Sequence, residues 1–132
     1  MITYLWIALG GALGSVARAG CADLATRYLG ESFPWGILLI NIGGSFVIGL
    51  FGTMTGVGGR FMVHPDARSF VMVGICGGFT TFSSFSYQTL NLLLDGDWVR
   101  AGANIVGSVA LCLLAVWLGY VAATALNHGG AA

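Results

Sequence analysis

The sequence predicts an all-α membrane protein of four transmembrane helices, the third broken near its middle. Three observations lead there. Of 132 residues, 57% are hydrophobic and 8% charged, whereas a soluble domain carries about 25% charged residues. The five arginines and five acids leave the uncharged runs 1–17, 32–59, 69–94 and 101–132. The third of those runs contains "GGFTTFSSFS", residues 77–86, in which two glycines and five hydroxyl side chains interrupt the apolar pattern.

A bilayer is crossed by roughly 20 apolar residues. Three runs exceed that length, and the first reaches it once its helix continues through Arg18. Helix one is expected over about 2–28. A cleaved signal peptide there would need a basic opening, and "MITYLWIALG" has none. "GESFPWG" (30–36) is a turn, with Pro34 placed to open helix two over about 34–58. "GRFMVHPDAR" (59–68) is the longest polar connection. Helix three is expected over about 69–94, "DGDW" (95–98) is a tight turn, and helix four covers about 98–126. The whole chain, 1–132, reads as one transmembrane domain.

Four helices put both ends of the chain and the 59–68 loop on one side of the membrane, with the two tight turns on the other. Orientation follows the arginine and lysine excess near helix ends. Arg60 and Arg68 fall on the first side, Arg27 and Arg100 on the second, and there is no lysine. A chain without bias has no reason to insert one way only, hence dual topology. Gly10–Gly14, Gly52–Gly56 and Gly74–Gly78 have the GxxxG spacing that lets backbones approach closely in lipid. They point to a tight assembly of helices, a homodimer. The cysteines, Cys21, Cys76 and Cys112, are odd in number and lack CxxC spacing, so they read as small apolar packing residues rather than a disulfide or zinc set.

The polar residues inside the spans are the functional candidates. Arg18 sits roughly ten residues from the end of helix one, about 15 Å from the interface at the helical rise, farther than snorkelling covers. Asn41 is embedded in "LLINIGGS", where an amide must find a hydrogen-bond partner. Asn104, Ser108 and Cys112 recur every four residues on one face of helix four. In the 77–86 stretch, Gly77 and Gly78 weaken the helix, and the hydroxyls of Thr80, Thr81, Ser83, Ser84 and Ser86 can satisfy freed backbone groups. Broken helices at the midplane offer carbonyls to cations and positive helix ends to anions. Phe82 and Phe85 stand on one face just beyond the break. Aromatic edges are positive, so ring edges beside hydroxyl donors suit an anion that has no full countercharge.

"GGALGSVARA", "FPWGILLINIGGS" and, above all, "GGFTTFSSFS" resemble motifs of the Fluc (CrcB) fluoride channel family, whose most specific signature is GG-x-TTFS-x-FS; the likeness covers nearly the whole chain. The resemblance implies a dual-topology antiparallel homodimer in the cell membrane, conducting fluoride through two narrow pores. It implies that Phe82 and Phe85 line the pores by their edges, that Asn41 reaches into a pore, and that Ser108 and Asn104 belong to a polar track on helix four. Thr81 and Ser84 complete the expected pathway, with Arg18 enriching anions at its approach. It also implies a structural sodium ion at the dimer axis, held by the main-chain carbonyls of Gly77 and Thr80. Two departures from the family pattern stand out: Gln88 where many members carry glutamate, and Asn104 where many carry tyrosine.

Fluoride, sodium and membrane lipid are thus the expected partners, and no nucleic acid. Passive export of cytoplasmic fluoride is the expected activity. A small four-helix multidrug exporter of dual topology is the rival class, but it depends on an embedded carboxylate, and Asp23 is too near a helix end to serve. A non-transporting membrane scaffold would explain the GxxxG seams and leave the hydroxyl–phenylalanine register unexplained. An enzyme is not expected: His64 and His128 fall in a loop and at a terminus, and no nucleophile–base set is visible.

Overall fold

Glycine decides how the helices meet. The computed structural model describes residues 1–129. In chain order they form α1 (Ile2–Leu29), α2 (Trp35–Met54), α3 (Pro65–Ser69), a π-helical segment (Phe70–Cys76), α4 (Gly77–Phe79), α5 (Phe82–Leu94) and α6 (Trp98–His128). The pieces from Pro65 to Leu94 make up one interrupted span, so four helical stretches among the described residues are long and apolar enough to cross a membrane.

On α1, Gly10 and Gly14 are the buried residues. A Cβ on Gly10 would strike the Phe70 carbonyl and one on Gly14 the Ile75 carbonyl, while a Cβ on Gly74 would come within 2.9 Å of the Gly10 Cα. Two of the predicted GxxxG pairs therefore face each other within a single chain, sealing the first span to the first half of the third. They thus close a tight seam inside the chain, as the spacing led one to expect of a tight helical assembly. The third pair, Gly52–Gly56, makes no such crossing within the chain: Gly52 faces the Met72 side chain and Gly56 its own helix. The other close crossing uses glycines outside any GxxxG pair. Gly49 of α2 lies against the Val116 carbonyl, and Gly119 of α6 against the Phe46 carbonyl. Backbone proximity of this kind substitutes for the hydrophobic drive that lipid cannot supply.

Two boundaries differ from the sequence expectation. The second span ends at Met54, not near residue 58. Thr55 turns its hydroxyl back onto the Phe51 carbonyl at 2.7 Å, and the chain then reverses through Gly58 at φ 77°, so that the Phe61 N–H bonds the Met54 carbonyl at 3.0 Å. The third span starts at Pro65 rather than Ser69, because Pro65 occupies the first helical position and His64 Nδ1 accepts from the Asp66 N–H at 3.2 Å.

The ends of the spans gather as expected of an up-and-down bundle. Thr3 donates to the Asp66 carboxylate, and Arg60 bonds the Leu126 carbonyl at 3.2 Å, so both chain ends meet the 59–68 loop. A small apolar core of Ile37, Ile40 and Phe85, joined by Ala22 and Phe79, lies between the first three spans. Large side chains such as Leu13, Val16, Val106 and Leu113 are exposed over the outside, a surface suited to lipid or a second copy and hazardous in water. Gly14→Val should lower the unfolding free energy of the detergent-solubilised protein by about 1–3 kcal/mol, the usual cost of overpacking. Gly20→Ala, which opens into empty space, should not lower it and should raise it by up to about 1 kcal/mol through helix propensity; both are read by thermal unfolding.

Candidate functional site

The third span breaks at Thr80 and Thr81, whose backbones are extended (φ −81°, ψ 157° and φ −155°, ψ 117°). Gly77 and Gly78 are themselves helical. The break therefore comes two residues later than the glycines suggested. Gly78 instead makes room for α1: a Cβ there would stand 3.0 Å from the Gly11 Cα.

An interruption at membrane depth frees backbone groups that lipid cannot satisfy, each costing several kcal/mol. Asn41 of α2 takes two of them. Its Oδ1 accepts from the Thr81 N–H at 2.8 Å, and its Nδ2 donates to the Thr81 carbonyl at 3.0 Å. One side-chain amide thus pairs with both the N–H and the C=O of one residue, as a neighbouring strand would. The Thr80 N–H and hydroxyl both reach back to the Cys76 carbonyl, at 2.9 Å and 2.8 Å. Gly44, one turn beyond Asn41, has no Cβ because the Thr80 methyl fills that place. Arg18 reaches in from α1, its Nη1 donating to the Thr80 carbonyl at 3.4 Å. It was expected at the approach to the pathway; its guanidinium lies on the break itself.

Beyond the break, Thr81 caps α5 by accepting from the Ser84 N–H at 3.1 Å, and its own hydroxyl donates to Ser84 Oγ at 3.2 Å. That cap sets the two aromatic rings in the first turn. Phe82 and Phe85 have centroids 5.2 Å apart at 49°, with Phe85 9% exposed and Phe82 77%. One ring is anchored while its neighbour stands free. Behind Phe85 a hydrogen-bonded chain crosses to α6. The Thr89 hydroxyl donates to the Phe85 carbonyl at 2.7 Å, Asn104 Nδ2 donates to Thr89 Oγ1 at 2.9 Å, and Ser108 Oγ donates to Asn104 Oδ1 at 3.3 Å. Asn104, at 2% exposure, is the largest fully buried side chain.

These groups surround one cavity of about 610 Å³, open to the outside of the chain, whose wall includes Asn41, Gly77, Thr80, Thr81, Phe82, Phe85 and Ser108. Seven residues singled out from the sequence are thus brought together. Three are not on that wall: Asn104 supports Ser108 from behind, Arg18 bonds the Thr80 carbonyl without lining the cavity, and Ser84 faces a smaller recess beside Ile37 and Tyr87. No acidic side chain lines the cavity. Sequence reasoning passed over Ser45, Met72 and Cys76 on the wall and Thr89 behind it. Ser45 and Thr89 lie four residues past Asn41 and Phe85, so helical spacing was a usable signal for both.

Four apolar spans closing round a hydroxyl-bearing fracture define a small polytopic membrane protein built about a polar cavity. The profile of the family described as "CrcB-like protein, Camphor Resistance (CrcB)" matches residues 5–120, and the chain belongs to that family. It is 61% identical over 127 residues to the "Fluoride-specific ion channel FluC" of Opitutus terrae, covering 96% of each chain. It is 59% identical over 125 residues to the protein of that name from Methylocella silvestris, covering 95% of each. With the one from Paramagnetospirillum magneticum it shares 58% over 128 residues, covering 97% of this chain and 100% of the relative. All three carry the name of a channel rather than an enzyme. Asn41→Leu should strip the Thr81 peptide of both partners and cost about 1–3 kcal/mol per group left unpaired. A fall in the thermal unfolding midpoint well beyond that of the neighbouring Leu39→Ala checks it.

Proposed function

We propose that the chain is a fluoride-selective channel that lets cytoplasmic fluoride leave the cell passively across the cell membrane. One observation carries the reading: a chain 61% identical to a protein named a fluoride-specific channel places Asn41, Phe82, Phe85 and Ser108 round a single cavity. Fluoride is small and tightly hydrated, so selection requires donors that replace water at close range yet release the ion. Asn41 spends one N–H on the Thr81 carbonyl and keeps the second. The exposed Phe82 offers its positive edge, and Ser108 a hydroxyl that can turn between Asn104 and the cavity. The Thr81 hydroxyl is committed to capping α5, so its part is to hold the break in shape. Outside acid forms HF, which crosses the bilayer and dissociates at cytoplasmic pH; the channel releases the trapped anion down its gradient.

The working unit proposed is an antiparallel pair of chains inserted in opposite orientations. It is supported by the arginine balance, with Arg60 and Arg68 at one end and Arg27 and Arg100 at the other, and by the exposed apolar surface. A sodium ion is proposed at the meeting of two breaks. The donor set is suitable. The Thr81 N–H that would close onto the Gly77 carbonyl is given to Asn41, and the Thr80 carbonyl accepts a long bond from Arg18. A carbonyl oxygen has two lone pairs, so each retains acceptor capacity. Carbonyl oxygens suit a hard cation, and two chains would supply twice the two that one provides. When bound, the ion would staple the breaks together.

Purified protein in liposomes should release fluoride and retain chloride. Phe82→Ile and Phe85→Ile should each cripple fluoride release while the protein still elutes as an assembly; unchanged release in both removes the aromatic-edge mechanism. For the pair, C-terminal tags should be accessible on both membrane faces, and replacing sodium by a large organic cation should lower the unfolding midpoint in detergent. A tag on one face only, or a midpoint indifferent to sodium, would refute the corresponding half.

A further inference from the structure

Three sulfur side chains open onto the cavity, and conduction uses none of them. Met72 and Cys76 lie four residues apart in the π-helical segment, just under one of its wide turns. Cys112 approaches from α6. Cys76 is 3% exposed, and its carbonyl receives both bonds from Thr80, so it is fixed one turn before the break. Cys112, one turn beyond Ser108, carries the polar row of α6 to the same cavity. Cys76 and Cys112 are both free thiols. Hydroxyls, an amide and aromatic edges on the rest of the wall are hard or weak donors; the sulfurs form its only soft side.

The geometry points to a site for a soft, thiophilic monovalent cation such as Ag+ or Cu+ on this wall, with Cys76 and Cys112 as ligands and the Met72 thioether in support, and to block of the ion pathway when it is filled. Thiolate and thioether are the ligands that select such ions. Binding needs no oxidant. A thiol S–H bond breaks, an S–Ag bond forms, the proton passes to water, and no oxidation state changes. A small ion reaches a 3% exposed thiol where a bulky reagent does not. Each thiol that binds gives its proton to water, so the silver bridged between two sulfurs carries a net negative charge that repels an incoming anion beside Phe85 and Ser108. Cys21 is exposed on α1 and does not line this cavity, which makes it the internal control.

The block rests on the fluoride-channel reading; the binding does not. The experiment uses full-length protein in liposomes, in nitrate medium so that no silver chloride forms. Silver nitrate should abolish fluoride release from wild type, and excess dithiothreitol should restore it. Cys21→Ser should remain sensitive, Met72→Leu should need more silver, and the double variant Cys76→Ser, Cys112→Ser should keep releasing fluoride in silver. Block that persists in the double variant, or wild type that conducts undisturbed in silver, overturns the proposal. In parallel, native mass spectrometry counts silver per chain: wild type should carry more than each single variant, and equal counts overturn the assignment even where the double variant fails to conduct. Protein that binds silver at these cysteines yet never released fluoride would sink the channel reading and leave the cation site standing.

Discussion

The pairing of the Asn41 amide with the Thr81 peptide is the contact on which the rest of the site depends. Lipid forbids an interrupted helix unless protein takes over the freed N–H and C=O groups, and an amide side chain is the one neutral group that presents a donor and an acceptor side by side. With Thr81 held extended, its hydroxyl is free to cap α5, and the capped turn fixes where Phe82 and Phe85 begin. Without the pairing, the N–H of Thr81 would return to the Gly77 carbonyl, the span would close into a continuous helix, and the two rings would rotate away from α2.

The remaining architecture divides into parts held by backbone proximity and a part held by hydrogen bonds. Gly10 and Gly14 lock α1 to the first half of the third span, and Gly49 and Gly119 lock α2 to α6. Helix α5 has no such glycine seam. It is tied at its start by the Thr81 cap and across to α6 by the bond between Asn104 and Thr89 at 2.9 Å. Polar ties of this sort define position sharply but resist opening less than close-packed backbone does. The half-span that carries the aromatic pair is therefore where motion is cheapest, while the half with the carbonyl-bearing end is the rigid one. In the proposed channel that places adjustable groups where the anion passes and fixed groups where the cation sits.

Much of this was legible in the sequence because membranes impose coarse rules. Charge spacing gave four spans, and Gly77-Gly78 followed by hydroxyls signalled an interruption. The signal misplaced it by two residues, since Gly78 answers a different demand, the approach of Gly11. Asn41 was recognisable as an amide needing a partner, but which partner depended on tertiary register. The same holds for Arg18, whose reach to the Thr80 carbonyl follows from the α1 seam and from no spacing along the chain. Asn104 was read as part of a polar track on helix four; burial makes it the strut behind Ser108. The expected row of Asn104, Ser108 and Cys112 does share a face, because period four on a straight helix is insensitive to context. The π-helical segment had no local signal: nothing in "FVMVGIC" distinguishes it from ordinary helix.

A broken span also gives one small protein two opposite helix poles side by side. The first half of the third span ends with its carbonyls pointing forward, a negative pole at Gly77 and beyond; the second half starts at Phe82 with its N–H groups pointing back, a positive pole. Two extended residues separate them. In an unbroken helix those poles would cancel along the axis, and neither ion would find a partner. In the proposed channel a cation would be held at one pole while an anion passes the other, and Arg18, bonded to the Thr80 carbonyl, sets a positive charge beside the break without lining the cavity. The absence of any carboxylate from the cavity wall then becomes intelligible. A fixed negative charge there would repel an anion, whereas carbonyl groups offer oxygen ligands without a net charge.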